Sequence, residues 1–145
     1  MKQYSNSQRG FSLIELLIVV AIIGIIAAIA IPYLEQARQA SRSASAVNSM
    51  RTISSAEGSY RNSTGQYGTL TELGNANYIA DSNLSSGLKS GYLFDVTTAT
   101  QTNFEVVADP AFATTSNLQH YFIDGSGVMR VEIGATATVA SNPVQ

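Results

Sequence analysis

From Phe11 to Ile31 the chain is apolar except at Ser12, Glu15 and Gly24. A helix of that length rises about 30 Å, the thickness of a bilayer's hydrocarbon core. A secretory signal peptide has a shorter apolar core, followed by a small-residue cleavage site. Here Pro32-Tyr33-Leu34-Glu35 follows, and it is no such site. Lys2 and Arg9 flank the N-terminal side, and no further basic residue occurs before Arg38. The positive-inside tendency therefore predicts residues 1–10 in the cytoplasm and export of the chain from Tyr33 onward. Hydropathy alone describes a single-pass anchor carrying an exported domain.

Glu15 does not fit a plain anchor. A carboxylate near the start of a bilayer-spanning helix costs several kcal/mol and usually has a named partner. One account keeps Glu15 close enough to the interface to stay wet. The other supplies a positive charge at matching depth. Cleavage between Gly10 and Phe11 would create that charge as the new α-amino group of Phe11, one helical turn from Glu15 or within reach in a staggered neighbour. Pairing across subunits would tie neutralisation of Glu15 to correct assembly.

The run Arg9-Gly10-Phe11-Ser12-Leu13-Ile14-Glu15, followed by Leu16 to Ile25, resembles the class III signal of type IV prepilins and type II secretion pseudopilins. The resemblance covers about Arg9 to Tyr33 and implies a leader of residues 1–10 that is removed by a prepilin peptidase. The same enzyme would methylate the new N-terminus, so Gly10 precedes the cut and Phe11 becomes N-methylphenylalanine. Glu15 would pair with a neighbour's N-terminus during assembly. Ser12 stands where threonine is also common in that family. The implied partners are the peptidase and methyltransferase, the inner-membrane assembly machinery and further copies of the same chain.

Pro32 ends the apolar run and predicts a kink or break. Helix-compatible residues resume at once. Leu34, Ala37, Ala40, Ala44, Val47, Met50, Ile53, Ala56 and Tyr60 recur at spacings of three and four, marking an amphipathic stretch from about Tyr33 to about Tyr60. Its other face carries Glu35, Arg38, Arg42, Asn48 and Ser55. The two pieces read as one long, kinked helix of about 50 residues, half in the membrane and half docked on a domain. This is similar to the pilin fold, and the resemblance implies that helix between Gly24 and Pro32 can open in a filament. Both residues are poor helix formers. The small residues Ala37, Ala40 and Ala44 suit close packing against a sheet.

Turn formers from Arg61 to Gly68 end the helix. Thr69 to Gly74 suggests a short helical turn, and a loop rich in Asn, Ser and Gly runs to about Ser90. Tyr92–Thr97 and Phe104–Ala108 have strand composition, with Thr98 to Asn103 as a hairpin connection. Gln119–Ile123 and Val128–Ile133 flank Asp124-Gly125-Ser126-Gly127, a strong hairpin signal. The expected fold is α+β, a long N-terminal helix against an antiparallel sheet of three or four strands. The tail from Thr136 to Gln145 is expected to be loosely ordered. Gly65, Leu73-Gly74, Lys89–Tyr92, Ala108–Pro110 and Phe122–Arg130 together look like the head of a cysteine-free bacterial pilin subgroup. The domains are then a leader at 1–10, a transmembrane and filament-core helix at 11–32, and a head at 33–145.

Chemistry for catalysis is sparse. The chain has no cysteine and a single histidine, His120, placed mid-strand where a structural role is expected. No Gly-x-Ser-x-Gly turn occurs, and Asp81, Asp95, Asp109 and Asp124 are scattered. The 124–127 loop could offer oxygens to Ca²⁺, but a hairpin turn accounts for it. The C-terminal Ca²⁺ loop of the major type II pseudopilins finds no residue-by-residue match. We expect no enzyme activity, catalytic residue, cofactor or metal. The net charge is −2 and becomes −4 on side chains after cleavage at Gly10, which argues against a nucleic-acid site. Three functions stay open: a type IV pilin, a type II secretion pseudopilin, and an anchored domain that never polymerises. The pilin reading predicts an inner-membrane precursor and then a surface filament serving adhesion, twitching motility or DNA uptake.

Overall fold

The computed structural model describes residues 10–111 and 118–144, so Lys2 and Arg9 of the expected leader lie outside the described residues. The chain divides into two compact units, Met1–Gln39 and Ala40–Gln145. Helix α1 (Leu13–Thr64) contributes to both.

In the first unit α1 begins with a Leu16 N–H donated to the Ser12 carbonyl at 3.2 Å. Its apolar side chains are exposed throughout, with only Ala27 half-buried. Gly24 and Pro32, the expected positions of a break, both lie inside a continuous helix. A proline withdraws one backbone donor, and helix-compatible neighbours on both sides retain theirs.

In the second unit α1 buries Ala46, Ser49, Met50, Ile53, Ala56 and Glu57. Within this unit the stripe read from the sequence is therefore covered from Ala46 onward. Ala40 and Ala44 are exposed in this unit, against the expectation that these small residues pack on a sheet. Spacing defines a face, but not the length over which a partner covers it.

After α1 comes α2 (Leu70–Asn75), the expected helical turn. Thr69 caps it: the Glu72 carboxylate accepts the Thr69 N–H at 2.7 Å, and the Thr69 hydroxyl accepts the Glu72 N–H at 3.3 Å. This reciprocal pair satisfies two backbone donors that the first turn leaves free. The loop before Ser90 also holds elements the sequence did not signal, α3 (Ser82–Ser85), capped by Asp81, and strand β1 (Leu88–Lys89).

Among the described residues six strands follow one another as an antiparallel meander in the order β1-β2-β3-β4-β5-β6. They are β1, β2 (Tyr92–Ala99), β3 (Phe104–Pro110), β4 (Gln119–Asp124), β5 (Arg130–Ile133) and β6 (Asn142–Pro143). Three or four strands were expected; the four longer ones match, and two two-residue edge strands complete the sheet. The Ser90-Gly91 turn between β1 and β2 has φ of 52° and 80°, the left-handed pair that suits a tight hairpin. Alternation in β2 turns Tyr92 and Phe94 inward, to a core with Met50, Ile53, Val106, Tyr121 and Ile123. Ser43 of α1 donates to the Gln119 amide oxygen and also meets the Tyr121 hydroxyl, pinning the helix to β4.

The expected loose tail is packed. Leu118, Phe122 and Ala137 are buried but stand outside the main core cluster. Phe122 alternates with Tyr121 and Ile123 and so faces away from α1. The Arg130 guanidinium donates to the Ser141 carbonyl at 3.2 Å, and Gly134 N–H donates to the Leu118 carbonyl at 2.9 Å. The segment after β5 is thus held by hydrogen bonds to the rest of the head and closes as β6 along the edge of β5, with Val144 packed against the main core.

Candidate assembly site

The residues singled out from sequence lie along the start of α1. Gly10 precedes the helix, and a side chain there would meet nothing within 4 Å. Phe11 is 78% exposed. Glu15 stands in the first helical turn, exposed, and its Oε2 accepts the Ser12 N–H at 3.4 Å. Ser12 and Glu15 therefore form one half of an S-x-x-E capping pattern, a local role for Glu15 that the sequence spelled out and our reading missed. A negative charge there also suits the positive end of the helix dipole. In the uncut chain the Phe11 nitrogen is an amide without charge, so these contacts neither include nor oppose a Glu15–amine pair.

Beyond Glu15 the helix presents a continuous apolar surface through Leu16, Leu17, Val20, Ile25 and Ile31. Among the described residues it is the one helix long and apolar enough to cross a membrane. Gly24 leaves a gap on this surface with nothing within 4 Å. Glu35 and Arg38 form an exposed ion pair at 3.3 Å where the surface turns polar; such a pair contributes little to stability.

Elsewhere the chemistry is structural. His120 Nδ1 lies 2.6 Å from Asp109 Oδ1, so a carboxylate on β3 orients the one imidazole on β4. Asp124 Oδ1 accepts the Ser126 N–H at 2.9 Å, which closes the expected hairpin turn. No cluster of three or more metal-binding side chains occurs among the described residues. Glu57 is the group that sequence reasoning overlooked. It is completely buried, its Oε2 accepts the Gly68 N–H at 2.9 Å, and its Oε1 has no partner. Burial pushes its pKa up to about 6, the Gly68 bond opposes that, and the Glu72 charge adds to it. Its spacing gave the signal, because it sits four residues after Ile53 and three before Tyr60, on the buried stripe.

The family model of the prokaryotic N-terminal methylation motif matches residues 5–31. The match takes in Gly10, Phe11, Glu15 and the exposed apolar surface, and its first residues precede the described part of the chain. This motif, the class III prepilin signal, supports a type IV pilin-like or pseudopilin protein. A search of the curated proteins finds no match to the chain.

Proposed function

We propose that this chain is a structural subunit of a type IV pilus. It is cut between Gly10 and Phe11, N-methylated on Phe11 and polymerised through residues 11–32 into a surface filament. The observation that carries this reading is the methylation motif lying on an exposed apolar helix. Proteins bearing the motif act as subunits of pilus-like polymers after processing by prepilin peptidase. Before assembly, lipid surrounds the apolar side chains. In a filament they pack against one another in place of lipid, and outside the bilayer that packing keeps them from water, which would otherwise cost about 25 cal/mol for each Å² exposed. Glu15 pairs with the Phe11 amine of a neighbour. That pair sets register more than bulk stability, since a buried ion pair often only breaks even. Residues 33–145 form the head, which faces the exterior in adhesion, motility or DNA uptake. Opening of the helix between Gly24 and Pro32 lets subunits adjust as they pack.

Intact-mass analysis of filaments sheared from cells, run beside the membrane fraction, tests the proposal. A dominant sheared species that begins at methylated Phe11 is expected. The same processed form confined to the membrane would favour a minor pilin or a type II secretion pseudopilin. An uncleaved chain in both fractions would leave only a membrane anchor.

A further inference from the structure

Most charges in the unit from Ala40 onward are engaged. Arg61 donates to the Tyr67 hydroxyl at 3.1 Å, Lys89 pairs with Asp81 at 3.0 Å, and Arg130 holds the Ser141 carbonyl. Arg42 also has a partner. Arg51 is the exception among the cations: it is exposed and, among the described residues, has neither hydrogen bond nor ion pair. It stands at the side of a groove of about 520 Å³ between α1 and the β4–β5 hairpin, with Ser54 and Ser55 beside it and Val128, Met129 and Val144 opposite. The groove is thus an apolar wall facing an unneutralised cation.

The complementary feature lies on the other side of the sheet. Asp95 is exposed in β2 and has no partner among the described residues. Alternation places it beside Leu93 on the face turned away from the core. Leu93 is itself 51% exposed and lies directly opposite exposed Leu88 in the β1–β2 pairing. An unneutralised acid flanked by two bare leucines matches a groove that offers a cation beside Val128 and Met129. Glu132, the other acid without a partner, is half-buried opposite His120 and lacks such flanking.

We propose that the Leu88–Leu93–Asp95 face of one copy seats in the Arg51 groove of the next copy, pairing Asp95 with Arg51. The inference rests on the filament reading above and names a contact between heads within it. The two surfaces lie on different sides of one molecule. A contact between them is heterologous, and its repetition runs on without limit where rotation does not close a ring. A two-fold dimer would need a single self-complementary patch, and neither surface is one: each carries a single sign of charge.

The absence of cysteine from the chain permits a direct test in the full-length protein. R51C combined with D95C, oxidised in sheared filaments, is expected to give a ladder of disulfide-linked multimers on non-reducing gels, while either single variant gives none. Filaments of the double variant that stay monomeric would overturn the contact. The charge exchange provides a second arm that needs no oxidation. Arg51→Asp or Asp95→Arg alone should lower sheared filament roughly tenfold, and the two together should return it to within about twofold of the parent. Singles at parental yield, or a pair worse than either single, would sink the proposal. Filament sheared from the parent chain shows in every case that the underlying filament reading stands. Its complete absence would instead count against that reading.

Discussion

Glu57 on α1 and Gly68 in the loop that follows are joined by a single hydrogen bond of 2.9 Å, and the second carboxylate oxygen faces the interior without a partner. A buried carboxylate of this kind resists ionisation, which is why its pKa stands at about 6 rather than 4.5. The folded head therefore holds this proton more tightly than the unfolded chain does. Its stabilising share is complete below pH 4.5 and is lost as pH rises through about 6. The shift corresponds to about 2 kcal/mol. Glu72 and Asp81 are held below the usual carboxylate range, Glu72 by Thr69 and Asp81 chiefly by Lys89. Their share is present at higher pH and fades only as pH falls past that range, so the interval between 4.5 and 6 belongs to Glu57. Glu57→Gln should flatten the pH dependence of urea unfolding across that interval and raise stability at pH 7.5. An unchanged slope would rule the buried acid out as its source.

The boundary of the buried stripe is open to a paired substitution. Met50 is 0% exposed within the core, and truncating it to Ala leaves a cavity. Met50→Ala is expected to cost about 2–4 kcal/mol in chemical denaturation of the detergent-solubilised chain. Leu34, at the same helical spacing but 51% exposed, should cost under about 0.5 kcal/mol when changed to Ala. Equal losses would mean that the stripe is covered over its whole length.

What the sequence disclosed, and what it hid, follows from how local each signal is. The long helix announces itself through a long apolar run and then a spacing of three and four, both written over many turns. The β4–β5 hairpin is legible because Asp124-Gly125 demands a tight turn, and α2 because Thr69 and Glu72 spell a cap. Strands β1 and β6 have two residues each and exist only through pairing with β2 and β5. No periodicity can reveal them. The segment after β5 has no helical or strand periodicity, and its order comes from Arg130 and Leu118, contacts made at a distance along the chain. The methylation motif was legible for the opposite reason: a carboxylate inside an apolar run is costly enough to need an explanation. Glu57 is costly in the same way, but it sat in a polar neighbourhood that concealed its burial.

Gly87 carries a prediction about how β1 is held. Its φ is +86°, and a Cβ there would come within 2.9 Å of the Phe94 carbonyl oxygen, a backbone atom that cannot swing aside. The Phe94 N–H in turn donates to the Gly87 carbonyl at 2.7 Å. Gly87→Ala therefore faces both a disfavoured backbone conformation and a clash, and should destabilise the head by about 2 kcal/mol or more. Amide exchange should quicken first at Phe94. Parental unfolding in this variant would contradict the close approach of the two backbones.

Two roles for Glu15 make different demands on its side chain. The contact to the Ser12 N–H needs only an acceptor, which glutamine also provides. Pairing with the freed amine of a neighbour needs a negative charge. Under the proposed function, Glu15→Ala leaves cleavage after Gly10 largely intact and yet sharply reduces filaments, with processed subunit retained in the membrane. Glu15→Gln decides between the roles. If the cap alone mattered, this variant would assemble nearly as the parent does; if the charge matters, it should fail about as badly as the alanine. The readout is the ratio of sheared filament to processed subunit in the membrane, with a methylated Phe11 terminus confirming in both variants that the peptidase has acted. The expected result is failure of both, because one weak hydrogen bond at an exposed helix end is worth less than a charge left unpaired among packed apolar helices.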